Sequence, residues 1–243
     1  MGNKIIFKLF RWQPSKETLI ALAAGFCVIF LSALMIPLSP WPWASIVIRD
    51  IGQIYLAGIL FPLAYISYSR GKWAEFGFTV RKWPVFLLID IILGTLLFFI
   101  LLTESSPQAD FRLDTPALLS AAFVMVALCF ELVFFYAFLR TLLERAFGIV
   151  PAVILTACFY AFHHIGFQPE YGKLIFVGLL YAITYRLGNS ALIIFPFFLG
   201  IGGAYDVLVQ SQVVSPIRFP GIRTAYLCIL IAATLVWVRR KEF

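Results

Sequence analysis

Long apolar runs, separated by short polar connections, follow one another along almost the whole chain. A helix that crosses a bilayer needs about 20 mostly apolar residues. Runs of this kind lie at 18–38, 51–69, 84–103, 117–140, 150–165, 173–187, 190–205 and 222–238. The pattern therefore predicts an all-α fold, a polytopic transmembrane helix bundle with about eight spans. The fifth to seventh runs are short enough to merge or to re-enter the membrane.

Basic residues mark every second connection between these runs. They occupy the N-terminal arm, the 70–82 loop, the stretches after the fourth and sixth runs, and the C-terminus (Lys4, Lys8, Arg11, Lys16, Arg70, Lys72, Arg81, Lys82, Arg140, Arg145, Arg186, Arg239, Arg240, Lys241). Lys and Arg are enriched in cytoplasmic loops. An even number of spans with both termini in the cytoplasm fits this pattern. We expect a multi-pass protein of a prokaryotic plasma membrane.

Composition narrows the class further. Hydrophobic residues make up 62% of the chain and charged residues only 13%, which excludes an ordinary soluble domain. The net charge of +7 is spread over alternate loops and forms no single basic face, so no nucleic-acid partner is expected. The lipid bilayer is the expected partner. Residues 1–16 form either a basic arm or an interfacial helix, and 17–243 form one helical domain.

A few ionisable residues interrupt the apolar runs. Asp90, Glu131, His163 and His164 lie inside predicted spans, where such groups usually pair or function. If Arg140 marks the cytoplasmic boundary, Glu131 lies about 13 Å deep at the helical rise. Counted from residue 150, His164 lies roughly 21 Å deep. Two antiparallel helices would hold the acid and the imidazoles at depths within about two turns of each other.

A carboxylate beside an imidazole is able to hold a water molecule and take its proton, which is general-base catalysis. The alternative is a buried hydrogen bond that only joins two helices. The chain has no HExxH motif, and adjacent histidines on a helix should point in different directions. We therefore expect neither a metal site nor a cofactor. Asp90 is expected to form a hydrogen bond with a neighbouring helix.

The stretch from Glu131 through VFFYAFL and RTLLERAFG to VPAVILTACFYAFHH resembles the CPBP family. That family includes the CAAX-processing type II proteases and membrane proteins of the bacteriocin-immunity and lysostaphin-resistance type. The likeness covers about residues 70–205. It implies that Glu131 is the water-activating acid and that His164 or His163 is its partner.

The chain also departs from the family pattern. Leu132 stands in the place of a second Glu and Tyr136 in the place of an Arg. In the third motif, Phe198 or Pro196 stands in the His position, and Gly202 replaces an Asn or Asp. The resemblance therefore implies that the usual oxyanion donors are lost. Tyr136 is one candidate to replace them, although it lies five residues from Glu131, and Asn189 and Asp206 are two others.

Two functions remain open on these grounds. The first is an intramembrane glutamic-type endopeptidase that acts on a membrane-associated peptide or protein, with substrate entering laterally or from the cytoplasmic side. The second is a catalytically degenerate relative that serves as a membrane scaffold or as a subunit of a larger complex. Gly200, Gly202 and Gly203 fit close packing against a partner helix or, as we expect, within the protein's own bundle.

Overall fold

A computed structural model describes residues 8–69, 73–81, 83–104, 113–168, 170–195, 200–208 and 217–241. Within these ranges the chain is helical and contains no strand. The main segments are α1 (Lys16–Leu38), α2 (Pro42–Tyr68), α3 (Trp83–Glu104), α4 (Thr115–Phe147), α5 (Ile149–Gly166), α6 (Tyr171–Gly188), α7 (Ala191–Ile194), α8 (Gly200–Leu208) and α9 (Pro220–Lys241). The predicted all-α fold is confirmed.

Six of these segments, α1 to α5 and α9, are long and apolar enough to cross a bilayer. The protein is therefore an integral membrane helix bundle. About eight spans were predicted, and the difference lies in the sixth and seventh runs. The sixth forms the 18-residue helix α6, which carries Lys173 and Arg186 near its ends. The seventh is divided between α7 and α8, and residues 196–199, including Pro196 and Phe198, lie outside the described ranges.

Helix α2 begins nine residues before the predicted run, at Pro42 rather than residue 51. Trp41 precedes the helix, and a proline in the first turn has its φ already set for a helix. Arg49 and Asp50 consequently lie inside the helix, although the apolar pattern placed them in a connection. From Val47 to Leu60 the helix has π geometry.

Helix α4 runs through the centre of the bundle. Every residue from 130 to 143 is buried, which explains why this stretch is apolar on all sides. The helix does not end at Arg140, as the depth argument assumed, but continues to Phe147. Arg140 is buried and pairs with Glu144, whose other carboxylate oxygen lies 2.9 Å from Arg186 Nε. Between Leu132 and Leu139 this helix is also π-helical.

Contacts between helix ends show that both ends of the described chain lie on one face of the bundle. Arg145 at the end of α4 lies 3.3 Å from Glu17 at the start of α1. At the same face, the rings of Tyr68 and Trp237 are 6.0 Å apart, which joins the ends of α2 and α9. This basic face carries described Lys and Arg residues of the alternate loops, so the positive-inside pattern predicts that it is the cytoplasmic face.

The N-terminal arm packs against this face. Arg11 donates through Nε to the carbonyl of Glu144 at 3.0 Å, and its backbone N–H donates to the carbonyl of Phe147. Gln13 donates in the same way to Ala146. The last carbonyls of a helix have no partner within the helix, and here the arm supplies donors to them. Residues 11–15 are not helical, and Lys4 lies outside the described ranges.

The outer surface of the bundle suits a lipid environment. Within an 18-residue apolar stretch of each helix, only 22% of the residues of α3 and α9 are buried, compared with 50% in α4 and α5. The exposed side chains of the outer helices are large and apolar (Leu19, Phe26, Phe30, Leu88, Ile92, Leu96, Phe99, Ile222, Ile229, Leu235, Val236). The bilayer replaces water as the solvent for these side chains, so their exposure costs no hydrophobic free energy.

The orientation can be tested by cysteine labelling in a variant whose four native cysteines are replaced by serine. We expect Lys173→Cys, at the start of α6, to react with a membrane-impermeant thiol reagent added to intact cells. Lys16→Cys, on the basic face, should react only after the cells are permeabilised. The reverse labelling pattern would contradict the predicted orientation.

Candidate functional site

The two histidines lie where α5 changes from an α-helix to a single 3₁₀ turn. The α-helix covers Ile149–Phe162, and the turn covers His163–Gly166. The imidazole rings of His163 and His164 are 3.9 Å apart and are inclined at 62°. The expectation that adjacent histidines point in different directions is therefore wrong. The tightened turn and a shared backbone partner bring the two rings together.

That partner is the carbonyl of Tyr160. Nδ1 of His164 lies 2.9 Å from this oxygen, and Nδ1 of His163 also contacts it. A carbonyl only accepts hydrogen bonds, so both Nδ1 atoms carry the proton in neutral imidazoles. In both rings the lone pair is consequently on Nε2. The same carbonyl fixes the tautomer and the orientation of both side chains.

Glu131 reaches this pair from α4. Its Oε1 lies 3.4 Å from Nε2 of His163, and one ligand atom from each of Glu131, His163 and His164 lies within 4.8 Å of the others. All three side chains are buried, with 7%, 1% and 5% of their surface exposed. We call these three residues the Glu-His-His cluster. The sequence left open which histidine faces the acid. His163 lies within 3.4 Å of Glu131, and His164 lies beside both residues.

Ser32 in α1 holds the turn from outside. Its hydroxyl donates to the carbonyl of His163 and accepts from the N–H of Gly166 at 3.3 Å. A Cβ atom at Gly166 would lie only 2.2 Å from the carbonyl oxygen of Ser32, so only glycine fits this crossing. The turn therefore depends on a close approach to α1 as well as on its own sequence.

The cluster lines a cavity of about 130 Å³, large enough for several water molecules. Apolar residues of α3, α4, α6 and α8 form much of its wall, together with Tyr160, Tyr181, Gln168 and Lys173. The cluster lies far from the basic face, because His163 is 14 residues along α5 from Ile149, or roughly 21 Å at the helical rise. On the predicted orientation the cavity lies in the non-cytoplasmic half, which does not favour the expected entry from the cytoplasm.

Arg49 is a residue of the cavity that the sequence reasoning missed. Its guanidinium lies over the ring of Phe167, 4.7 Å from the centroid, and interacts electrostatically with Glu131. Among the described residues, no hydrogen-bond acceptor for this guanidinium is found. The sequence contains one signal that could have indicated Arg49: the charged pair Arg49 and Asp50 stands between apolar residues, and Gln53 follows Arg49 by four positions. Gln53 also lies in the cavity wall.

The neighbouring acid does not neutralise Arg49 by direct pairing. Asp50 receives two hydrogen bonds from Arg223, at 2.7 and 2.6 Å, and a third from the hydroxyl of Tyr226. Asp50 is fully buried, and its carboxylate oxygens are occupied by these donors. Arg49 therefore presents its positive charge to the cavity.

Tyr136 lies behind the cluster rather than in the cavity wall. Its side chain is fully buried, and its hydroxyl has no hydrogen-bond partner among the described residues. An α-helical geometry would place residues five apart on different faces. That geometry does not apply here, because Leu132–Leu139 is π-helical and a π-helix pairs residues five apart. Tyr136 interacts electrostatically with Glu131, but it does not reach the cavity.

The other candidates fall in different places. Asn189 donates to the carbonyl of Ala74 at 3.1 Å and is half-buried at the basic face. The position of the Asp206 side chain is not described. Gly202 lines the cavity, and a Cβ there would lie 2.1 Å from the Tyr181 hydroxyl. The tyrosine thus fills the space that an Asn or Asp side chain at 202 would need.

Gly200, Gly203 and Asp90 all lie in the interior of the bundle. Cβ atoms at Gly200 and Gly203 would meet Met125 and Leu128 of α4, at 3.0 and 2.5 Å. This confirms the expectation that the glycines pack within the protein's own bundle. Asp90 is buried in α3 and does not line the cavity. The expected hydrogen bond of Asp90 stays a prediction.

Comparison with known proteins identifies no relative: no family model, no curated protein and no solved structure matches the chain. The resemblance to the CPBP family stays a prediction from the residues that carry it.

The support of the histidine turn by α1 can be tested with two alanine substitutions. Gly166→Ala forces a methyl group against the Ser32 carbonyl, and overpacking of this kind costs about 1–3 kcal/mol. The thermal unfolding midpoint of the purified protein in detergent should therefore fall. Gly172→Ala is the control, because nothing lies within 4 Å of a Cβ there. Equal midpoints for the two variants would contradict the close crossing.

Proposed function

We propose that this protein is a CPBP-like intramembrane endopeptidase of the glutamic type, located in a prokaryotic plasma membrane. Its substrate would be a membrane-associated peptide or protein segment. The observation that carries the proposal is the Glu-His-His cluster, in which a carboxylate and two imidazoles of fixed tautomer face one cavity. No bound partner is needed to assemble these groups.

The arrangement suits activation of water. A water molecule in the cavity donates one hydrogen bond to Nε2 of a histidine and the other to the Glu131 carboxylate. As the water oxygen attacks the carbonyl carbon of a peptide bond, its proton passes to Glu131. The C–N bond then breaks, and Glu131 returns the proton to the departing nitrogen. The products are a carboxylic acid and an amine, and the enzyme is unchanged.

Arg49 supports the same step from another side of the cavity. The attack places negative charge on the carbonyl oxygen, and this charge needs a donor in a site of low dielectric. The family pattern supplies such donors in its third motif, where this chain has none at the matching positions. The Arg49 guanidinium carries hydrogen-bond donors and a fixed charge, and Asp50 is already occupied by Arg223 and Tyr226. We assign the oxyanion role to Arg49.

The surroundings of the cavity indicate how a substrate would reach it. The cluster is buried among helices, and its wall includes apolar residues of α3, α4 and α8. Lys173 and Gln168 lie in the same wall, near the ends of α5 and α6 that are remote from the basic face. This placement supports entry between helices or from the non-cytoplasmic side, and it suits an apolar segment with a polar end.

The hydrolytic role can be tested by complementing a deletion strain with the wild-type protein or with Glu131→Gln. The termini of all membrane-associated peptides are then compared by mass spectrometry. We expect specific termini that require the wild-type acid and disappear with Glu131→Gln, because an amide accepts no proton from water. Asp90→Asn is the matched control, since Asp90 is a buried membrane carboxylate outside the cavity. If Glu131→Gln leaves every terminus unchanged, the protease proposal is wrong. The non-enzymatic scaffold or complex subunit then becomes the better description.

The role of Arg49 has its own test once a cleaved peptide is known. Arg49→Leu removes both the hydrogen-bond donors and the charge. Loss of one oxyanion donor costs about 10²–10³ in kcat. We therefore expect kcat to fall by about this factor, with a smaller change in KM. A change confined to KM would show that Arg49 binds the ground-state substrate instead.

A further inference from the structure

The Glu-His-His cluster offers three acceptors and no proton donor of its own. Both imidazoles carry their proton on Nδ1, which the Tyr160 carbonyl occupies, so each Nε2 has a free lone pair. Glu131 adds carboxylate oxygens. Several water molecules would be needed to donate a hydrogen bond to each of these groups, because one water has only two protons. A single cation that accepts electron pairs from all three side chains satisfies them together.

Two buried atoms of the cluster lack a hydrogen-bond donor. Oε2 of Glu131 and Nε2 of His163 are buried and have no hydrogen-bond partner among the described residues. An unpaired buried acceptor costs about 1–3 kcal/mol, and more when the group is charged. Nε2 of His163 lies 3.4 Å from Oε1 of Glu131. This value is close to the separation of about 3.3 Å between two ligands of a tetrahedral zinc ion with bonds of 2.0–2.1 Å.

The groups around the cluster are those that hold metal ligands in position. A histidine that binds a metal almost always donates its other ring N–H to a carbonyl or carboxylate. Both histidines do so here, to the same carbonyl of Tyr160. Ser32 fixes the turn that carries them. The support is therefore present before any ion binds.

We propose that Glu131, His163 and His164 form a binding site for one divalent transition-metal ion of the zinc class. Imidazole and carboxylate ligands suit zinc, and two histidines with one glutamate leave a fourth position open to the cavity. Such an open position is the mark of catalytic rather than structural zinc sites. The inference rests on the proposed function for the use of the ion, which would make the attacking water easier to deprotonate, while the Glu131 oxygen that does not bind the ion would still take its proton. Binding of the ion itself is independent of any substrate.

The charges around the cluster determine which kind of fourth ligand the metal ion should have. A divalent ion adds two positive charges, Glu131 offsets one of them, and Arg49 adds a further positive charge nearby. Asp50 acts on Arg49 only from a distance, because its charge is paired with Arg223 and its carboxylate also accepts a hydrogen bond from Tyr226. The fourth position should therefore hold an anion, such as hydroxide or a substrate carboxylate, with Arg49 beside it. Arg49→Gln should accordingly bind the metal more tightly than the wild type.

The test uses the full chain, purified in detergent with a tag that contains no histidine and stripped with a chelator. Zn²⁺ is added, excess ion is removed, and bound zinc is measured by elemental mass spectrometry. Co²⁺ titration, followed by its visible absorption, reports the ligand geometry. We expect one ion per chain and a tetrahedral cobalt spectrum. Glu131→Gln, His163→Gln and His164→Gln should each weaken binding by more than the roughly 10–100-fold loss that follows removal of a supporting second-shell partner.

Two further variants test whether zinc binds to the cluster and not to the cysteines or to Asp90. A variant with serine at Cys27, Cys129, Cys158 and Cys228 should bind zinc as the wild type does, and so should Asp90→Asn. Thermal unfolding confirms that each variant is folded, and His164→Asn serves as a second substitution if His164→Gln is unstable. Zinc that stays bound in folded histidine variants would overturn the proposal, as would a wild-type protein that binds none.

The two proposals fail in different ways. If no zinc binds and the Glu131-dependent peptide termini are still produced, the metal site is wrong and hydrolysis by the acid alone stands. If zinc binds through the cluster but no terminus depends on Glu131, the metal site stands and the protease proposal is wrong.

Discussion

The carbonyl of Tyr160 is the group on which the geometry of the site depends. It accepts from Nδ1 of both histidines, which places two ring protons on one oxygen and both lone pairs on Nε2. This carbonyl lies in the last turn of the α-helix Ile149–Phe162, immediately before the 3₁₀ turn that carries both rings. The roles proposed for Glu131 depend on this arrangement, because its carboxylate faces the lone pairs of the two Nε2 atoms and not N–H donors. Ser32 and Gly166 hold the turn against α1, so the site also depends on a contact between distant parts of the chain.

Buried charge is the second constraint, because an ionised group within a bilayer is costly unless it is paired. The chain meets this cost in two ways. On the basic face, Arg140, Glu144 and Arg186 form a chain of ion pairs where α4 and α6 end. In the opposite half, Asp50 binds Arg223 and Tyr226 and joins α2 to α9. Arg49 and Glu131 lie outside these pairs, and they share one cavity. A site that keeps charge unpaired in an apolar protein is where chemistry or ligand binding is expected.

The two π-helical stretches connect the fold to this site. Val47–Leu60 carries Arg49 and Gln53, and Leu132–Leu139 begins one residue after Glu131. A wider helical turn changes which residues share a face, so that positions five apart become neighbours. Tyr136 is brought behind Glu131 in this way, among the rings of Tyr160, Tyr181 and Tyr185. In a regular α-helix, Glu131 and Tyr136 would lie on different faces. For this reason the sequence alone does not place Tyr136 behind Glu131.

The sequence by itself determined the membrane class and the helical fold, and it predicted the acid and the two histidines as candidate site residues, because apolar run length and polar residues within runs are local properties of the chain. It also predicted that both termini share a face, which follows from charges in alternate loops. It did not determine Arg49, since a hydropathy run that starts at residue 51 excludes a charged pair that the folded helix includes. Nor did it reveal that His163 and His164 converge, because their directions are set by a 3₁₀ turn, a shared carbonyl and contact with Ser32. These are tertiary facts, and they arise from packing between helices that are far apart in the sequence.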